Sequence, residues 1–525
     1  TGHVALTAKT GIGLPSDDDL DTRIGSLQAQ TTVSGGIFIE ERNGLNITGP
    51  LRTAGDGSIH VGLQNGNLFV SDEMTADGAG NIRLVVEAGT LDVDAEVASG
   101  TGHITLHAAG TIAFGADGEV FTGNPGTVSV LSQTGGLLMH AEAGIMAESS
   151  SLRMEAPGLI LLGGLAAERI AVVSAANSVL RAPGAVLNVE AGELRISAGQ
   201  GIGTAGAPLL LAVDAISTLS NFGTYLRQDG DIEVTEIAPV PVRVVQASDS
   251  TVDLADGFAQ LGSVTLTNGD IILIAEGNVT VGEEGFVNAH GEGRIRLEAS
   301  GTDADLDLYG SVGSFEGDIS LVATRNVELG SDVWLTTKGS IYVRAATGAI
   351  TLDPTAVIFA DEANVILHAQ GNVTLGIVSG DEVAVTSDAG SIFAQPIASL
   401  NVDINDVNLF ARSLRLEADR AIGAINPGLF LLAPIRTSAL TLSALARGNH
   451  PSEKGAYILN LGTDLAVGAV AVTVQEVEED AQLDSVTFAA QADIQAMNGG
   501  SIALVTREGD LDLTDGDTNG WVLKT

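Results

Sequence analysis

The 525-residue sequence contains no cysteine, which excludes disulfides, thiolate metal ligands and cysteine nucleophiles. Basic residues are scarce, since 24 lysines and arginines stand against 66 acidic residues for a formal net charge of −42. Nucleic acid and anionic lipid both require a basic surface, so this balance disfavours them as partners. No apolar run approaches the ~18 residues of a membrane-spanning helix, and we therefore expect no membrane span.

Aromatic residues are also few, at 4% of the chain, whereas hydrophobic residues make up 45%. This apolar share excludes a disordered chain. Glycine is abundant instead, with 66 residues. Many glycines, small aliphatic side chains and few aromatics indicate a chain that is built from short repeated turns.

A short repeat, Gly-x-[Ile/Val/Leu]-x-[Leu/Val], runs through the sequence. It begins at Gly57, Gly80, Gly102 and Gly126, in steps of 23, 22 and 24 residues. A second series of the same pattern starts at Gly66 and follows the first at an offset of 8 or 9 residues. Fixed periods of this length are typical of stacked repeat architectures.

Alternating apolar residues in each repeat indicate a five-residue strand with one buried face. Two strands per period leave roughly 13 residues for a third, less regular side. The sequence therefore predicts an all-β fold, a right-handed, three-sided parallel β-helix (solenoid) with 22–24 residues per turn. Side chains in the same place on successive turns should stack inside the coil. One such column is Ile59, Ile82, Ile104 and Val128, whereas His60, Arg83, Thr105 and Ser129 should point outward.

A longer repeat lies above the first. Segments that contain an Ile-Gly step, a spacer, an apolar stretch and a strand recur at Ile12, Ile202 and Ile422, in steps of 190 and 220 residues. We therefore predict two super-repeats, at 1–197 and 198–417, and a partial third at 418–525.

These turns, punctuated by Gly-Ile-Gly segments, resemble the repeat regions of very large filamentous-haemagglutinin-like adhesins of bacteria. The resemblance covers nearly the whole chain. It implies a coil that is exported to the surface of Gram-negative cells and holds binding regions away from the cell. The Asn-Pro-Asn secretion signature of that family's amino-terminal domain is absent from this sequence, as is Arg-Gly-Asp.

Many β-helices are polysaccharide lyases or hydrolases, which place paired carboxylates or an arginine on one exposed strand face. The best candidates for such a site are the acidic run Asp17, Asp18 and Asp19 and the stretch from His290 to Arg296. The second lacks the partner carboxylates of those enzymes. We interpret Arg294 and Arg296 as outward residues, solvated beside acids, and predict that the chain is not an enzyme.

Two oxygen-rich clusters are candidate calcium sites. Asp303, Asp305 and Asp307 alternate with apolar residues, so they should share one outer face. Asp515, Asp517 and Asn519 match the opening of an EF-hand-type loop, whose twelfth position lies past the last residue. The competing interpretation is a solvated acidic turn. No other cofactor is predicted.

The sequence thus favours a structural or adhesive rod segment of a very large bacterial cell-surface or secreted protein, located outside the cell. A self-assembling extracellular filament or sheath subunit and a carbohydrate-active β-helix enzyme are the alternatives. The expected partners are further segments of the same chain or copies that meet end to end, together with surface glycans or proteins of neighbouring cells. Both end segments look like ordinary turns rather than caps, so we expect the chain to be part of a longer protein.

Overall fold

The computed structural model describes residues 2–254, 257–394, 406–426, 431–515, 517 and 520–525. The chain divides into two compact units. The first unit comprises Thr1–Asp229 and Glu236–Gly262, and the second comprises Gly230–Thr235 and Ser263–Thr525. The described residues contain no α-helix, and a short 3₁₀ turn spans Ser16–Asp18. The predicted fold is confirmed as an all-β parallel solenoid of about 19 turns.

In the first unit, each turn contributes strands to three parallel stacks. The first stack contains the five-residue repeat strands: Leu20–Thr22, Ile37–Glu41, Ile59–Leu63, Ile82–Val86, Ile104–Ala108 and Val128–Ser132. The second stack contains Leu68–Val70, Leu91–Val93, Ile112–Phe114, Leu137–Met139, Ile160–Leu162, Val179–Arg181 and Thr224–Gln228. The third stack contains Met74–Ala76, Val97–Ser99 and Glu119–Thr122.

Longer strands bend across two stacks of the first unit. His3–Ala8, Ser26–Thr31 and Leu45–Thr53 open the coil. Four later strands cross from the third stack into the first: Gly144–Ala156, Gly164–Ser174, Val189–Ala198 and Leu209–Ser220. The predicted third side of the turn is therefore as regular as the other two.

The second unit repeats this plan. Its first stack contains Ile271–Ala275, Ile295–Ala299, Ile319–Ala323, Ile341–Ala345 and Val365–Ala369. Its second stack contains Ile232–Val234, Val279–Val281, Leu306–Leu308, Val327–Leu329, Ile350–Leu352, Val373–Leu375, Ile392–Ala394, Ala421–Ile422, Gly455–Asn460 and Ile502–Thr506. Its third stack contains Ser263–Thr265, Val287–Ala289, Val312–Ser314, Trp334–Thr337 and Val357–Ala360.

The strands that cross between stacks of the second unit are Ile377–Ser387, Leu409–Ala418 and Ile435–Ala446. Its last parallel strands are Leu465–Val467, Ile494–Ala496, Leu511–Leu513 and Leu523–Lys524.

The interior of the coil consists of aliphatic columns, as predicted. Ile59 pairs with Ile82, Ile82 with Ile104 and Ile104 with Val128, and all four side chains are fully buried. Because each turn covers the apolar face of its neighbour, stability is shared along the coil.

Glycine opens each repeat strand because successive turns approach closely there. A Cβ atom on Gly80 would lie 2.1 Å from the carbonyl oxygen of Gly57, and one on Gly102 would lie 2.1 Å from that of Gly80. A side chain at either position would force the turns apart, which explains why glycine recurs at this position in successive repeats of the chain.

Among the described residues, antiparallel strand pairs interrupt the parallel coil at four places. Two of them are short: Glu236–Ile237 with Gln260–Leu261, and Ala424–Asn426 with Leu431–Ala433. The other two are hairpins. The first hairpin pairs Val242–Val245 with Thr251–Leu254 in the first unit, and the second hairpin pairs Val470–Val477 with Leu483–Gln491 in the second unit. Each hairpin packs across the outer face of the first stack of its own unit.

Candidate functional site

The first hairpin covers outward side chains of the first stack. His60, Thr105 and Ser129 point outward as predicted, yet each is 5% exposed or less. The Oγ1 atom of Thr105 accepts a hydrogen bond from the backbone N–H of Val245 at 2.9 Å. The Oγ1 atom of Thr127 accepts one from the N–H of Arg243 at 2.9 Å. These hydroxyls therefore accept hydrogen bonds from backbone N–H groups of the hairpin and not from water.

Asp249 lies in the turn of the first hairpin and fastens it to three earlier residues. Its carboxylate accepts hydrogen bonds from Ser58 at 2.8 Å and from the side-chain amide of Asn81 at 3.0 Å, and it pairs with the His60 ring at 3.1 Å. Burial alone would raise the pKa of Asp249, but the hydrogen bonds from His60, Asn81 and Ser58 hold it below its ordinary value. The carboxylate is thus a structural anchor in its ionised form.

The second hairpin corrects the interpretation of Arg296. That side chain was expected to be solvated, but Arg296 is 5% exposed because the hairpin lies over it. Its guanidinium contacts Glu298 at 2.7 Å and Glu476 at 3.2 Å and donates to the backbone carbonyl of Val477. Arg294 likewise donates to the carbonyl of Ala481, at 2.6 Å. The two arginines therefore bind the hairpin and do not form an open catalytic face.

Apolar contacts hold the rest of the second hairpin. Val470, Val472 and Val474 of the hairpin form one buried cluster with three outward residues of the coil: Tyr342, Ile366 and Ala384. Burial raises the pKa of Tyr342 to about 12. Its hydroxyl therefore stays protonated at neutral pH.

A group of charged residues on the first unit surrounds Glu40. Burial, followed by the negative charges of Asp19 and Glu87, raises the pKa of Glu40 to about 7, while the positive charge of Arg83 acts in the opposite direction. The carboxylate occupies space that a side chain at Gly62 would fill, since a Cβ there would lie 1.9 Å from Oε2 of Glu40. Glu40 can therefore hold a proton near neutral pH, which is the property of a general acid.

The predicted acidic run contributes to this group in part. Asp18 is exposed in the 3₁₀ turn, whereas Asp19 follows the turn and influences Glu40. The side chain of Asp17 lies outside the described residues. The sequence alone did not point to Glu40, because the charged residues that shift its pKa come from other turns.

The structure brings two of the three predicted calcium ligands of the second unit onto one face. Asp305 and Asp307 alternate with buried residues, but Asp303 lies in the preceding turn with a φ of 61°. Arg325 pairs with both carboxylate oxygens of Asp305. The hydrogen bond from Arg325 lowers the pKa of Asp305. Burial, followed by the charges of Asp305 and Glu328, raises that of Asp307 to about 6.

The second predicted calcium cluster gains a residue. Asp515 and Asp517 join Asp493, and their carboxylate oxygens lie within 4.8 Å of one another. This is the only such group of three among the described residues. Asn519 lies outside the described residues. Oxygen clusters of this kind suit calcium, and calcium binding at either cluster stays a prediction.

No protein-family model matches this chain, and neither a curated protein nor a solved structure matches it. Among the described residues, no helix has the length and apolar character that crossing a bilayer requires.

Proposed function

We propose that this chain is a structural segment of a very large bacterial cell-surface or secreted protein, in which the coil acts as a stiff spacer or adhesin stalk. The observation that carries the proposal is the pairing of turns, residue for residue, in both units. Within each unit, the described turns contribute successive layers to an aliphatic core, and each turn is held by the strand pairs that it forms with its neighbours. The absence of cysteine means that this core is held without disulfides.

The acidic surface suits an extracellular spacer because like charges keep neighbouring copies apart. Surface glycans, surface proteins or further copies of the chain are the proposed partners of the complete protein. End-to-end assembly of copies into a filament is the alternative within the same structural class.

Single-molecule pulling between the two ends of the chain tests the spacer function. If the turns bear load in series, each rupture should release one turn of 22–24 residues, which corresponds to roughly 80 Å of extended chain. A repetitive series of such steps supports the proposal. A single rupture that releases each unit at once would contradict it.

A carbohydrate-active enzyme is the second candidate function, and the observation that favours it is Glu40, whose pKa is raised to about 7 by burial and by neighbouring acids. Incubation with acidic and neutral polysaccharides, followed by a reducing-sugar assay, separates the two functions. The spacer function predicts no release of sugar by the parent chain. Release that is lost in Glu40→Gln and retained in the control variant Glu142→Gln, at an exposed acid that does not act on Glu40, would instead establish the enzyme.

A further inference from the structure

A groove crosses the outer face of the third stack in the first unit. Its volume is about 310 Å³, and it runs over the strands Glu119–Thr122, Gly144–Ala156 and Gly164–Ser174. Phe121 and Met146 form its apolar lining together with Leu187, and they are 36% and 44% exposed. Neither hairpin strand lines this groove. The apolar surface of the third stack is therefore open to solvent, whereas the outer face of the first stack is covered by the hairpin.

The floor of the groove is bare backbone. Gly144 and Gly164 are register partners on adjacent turns. A Cβ atom on Gly144 would meet nothing within 4 Å, and one on Gly164 would meet only the carbonyl oxygen of Ala143, at 3.6 Å. Neither glycine has a positive φ, so the backbone does not require glycine at either position. The two missing side chains leave a notch between apolar walls.

The rim of the groove is acidic. Glu119 and Glu190 line it, and an adjoining depression that shares Glu190 adds three further acids: Glu148, Glu168 and Asp214. Within the described part of the chain, no lysine, arginine or histidine lines either depression. None of the five carboxylates has a side-chain hydrogen bond or an ion pair with another described residue. The charge of the rim is therefore available to a partner.

We propose that this groove binds a peptide segment that carries both basic and apolar side chains. An apolar side chain fills the notch over Gly144 and Gly164, beside Phe121 and Met146. Basic side chains of the same segment pair with Glu119 and Glu190 at the rim. Anionic lipid is repelled by this rim, and the apolar notch offers a glycan few hydrogen-bonding side chains. The proposal does not depend on the spacer function, because it concerns one face of the first unit alone.

Fluorescence anisotropy with three labelled octapeptides tests the proposal on the full chain. The probes alternate Lys with Leu, Lys with Ser, and Glu with Leu. We expect the Lys-Leu probe to bind at least tenfold more tightly than either of the others at physiological salt. Equal binding of the Lys-Ser probe would overturn the proposal, because attraction to a chain of net charge −42 would then suffice. Equal binding of the Glu-Leu probe would overturn it as well.

The variant Gly144→Leu fills the notch. We expect it to weaken binding of the Lys-Leu probe at least tenfold with an unchanged unfolding temperature. Gly206→Leu is the matched control, since a Cβ on Gly206 also meets nothing within 4 Å but the residue lies outside the groove. Binding by Gly144→Leu that equals binding by Gly206→Leu would overturn the proposal.

A second variant keeps the test decisive if Gly144→Leu disturbs folding. The double substitution Glu119→Gln and Glu190→Gln retains the shape of the rim and removes its charge. We expect at least a threefold loss of Lys-Leu binding, and unchanged binding would overturn the proposal. Sedimentation velocity tests whether a second copy of the chain occupies the groove instead. If the parent chain self-associates and Gly144→Leu abolishes the association, the occupant is a second copy and the proposal of a basic peptide is overturned.

Discussion

The two hairpins contact the coil through equivalent hydroxyls. In the first unit, Val245 donates its backbone N–H to Thr105, the second residue of a first-stack strand, at 2.9 Å. In the second unit, Val477 donates to Ser320, the second residue of its strand, at 2.8 Å. In both units, the hairpin residue two positions earlier donates to the hydroxyl that immediately precedes the next first-stack strand.

Beyond these hydroxyls, the contacts of the two hairpins differ in chemistry. The first hairpin is fixed at its turn by the carboxylate of Asp249, and its second strand is largely exposed. The second hairpin buries three valines against Tyr342 and Ile366 and is fixed near its turn by Arg296. The backbone contact therefore sets the position of a hairpin, while the outward column of the coil decides whether polar or apolar side chains complete it. We expect four sets of variants to break or sharpen this contrast.

The largest effect is expected from Val472→Asp in the second hairpin. Val472 is fully buried against the coil, so the substitution places a carboxylate in an apolar cluster without a partner. We expect a loss of ~4 kcal/mol or more in the free energy of unfolding. The control is Val252→Asp in the first hairpin, where the side chain is 54% exposed and a change within about 0.5 kcal/mol is expected. Chemical denaturation measures both, and equal shifts would refute the contrast.

The next largest effects are expected from the charged residues that anchor the two hairpins, Arg296 and Asp249. Arg296→Met leaves Glu298 and Glu476 under the hairpin without their cation, at a cost of roughly 3–5 kcal/mol. Asp249→Asn keeps the shape of the other anchor and weakens three hydrogen bonds, at a cost of about 1–2 kcal/mol. Hydrogen exchange of each hairpin reports its release from the coil. A larger opening in Asp249→Asn than in Arg296→Met would reverse the ranking.

The shared hydroxyl contacts should give equal and smaller effects. Thr105→Val and Ser320→Ala each remove the acceptor of one hairpin N–H, and a loss of about 1 kcal/mol is expected for either variant. Thermal unfolding of the two variants side by side measures this loss. An effect confined to one unit would show that the backbone contact is not equivalent in the two hairpins.

The smallest effects concern pH, because Glu40 and Asp307 are only partly buried and solvent screens their charges; these variants extend the comparison to one acid in each unit. The folded chain holds a proton on Glu40 up to about pH 7 and on Asp307 up to about pH 6, whereas the unfolded chain releases them near 4.5 and 3.8. Stability therefore falls as pH rises through each window. Glu40→Gln and Asp307→Asn should raise the Tm at pH 8 and leave it unchanged at pH 3.5. A Tm difference from the parent that is the same at both pH values would contradict the assigned protonation.

The aliphatic columns could be predicted because they depend on a period that the sequence repeats. Ile59, Ile82 and Ile104 occupy the same position in successive turns. Residues that are one period apart in the sequence therefore lie next to each other in the stack. The site residues could not be predicted in the same way. Arg296 reads as an outward, solvated residue of its repeat, and the hairpin that buries it lies about 180 residues later in the chain.

The number of residues between successive coil strands does reveal that a segment is inserted. A third-stack strand begins 4 residues after Val70, at Met74, but 29 residues after Val234, at Ser263. The excess marks an insertion. The alternating sequence from Val470 to Val477 nevertheless looks like an ordinary coil strand, because both kinds of strand bury one face. Which face of the coil an insertion covers depends on its path in space, which periodicity does not encode.

The contact between Ser58 and Asp249 spans 191 residues, and this separation sets an order of events during synthesis. A ribosome that adds 5–20 residues per second completes Ser58 roughly 10–40 s before Asp249. The early turns can stack on one another as they emerge, but the hairpin that covers them does not yet exist. During that interval their outward histidine, threonine and serine side chains face water or a chaperone. The polar side chains of this column are compatible with exposure to water until the first hairpin is synthesised. The column around Tyr342 and Ile366 is apolar, so it remains prone to aggregation until the second hairpin, which begins at residue 470, covers it.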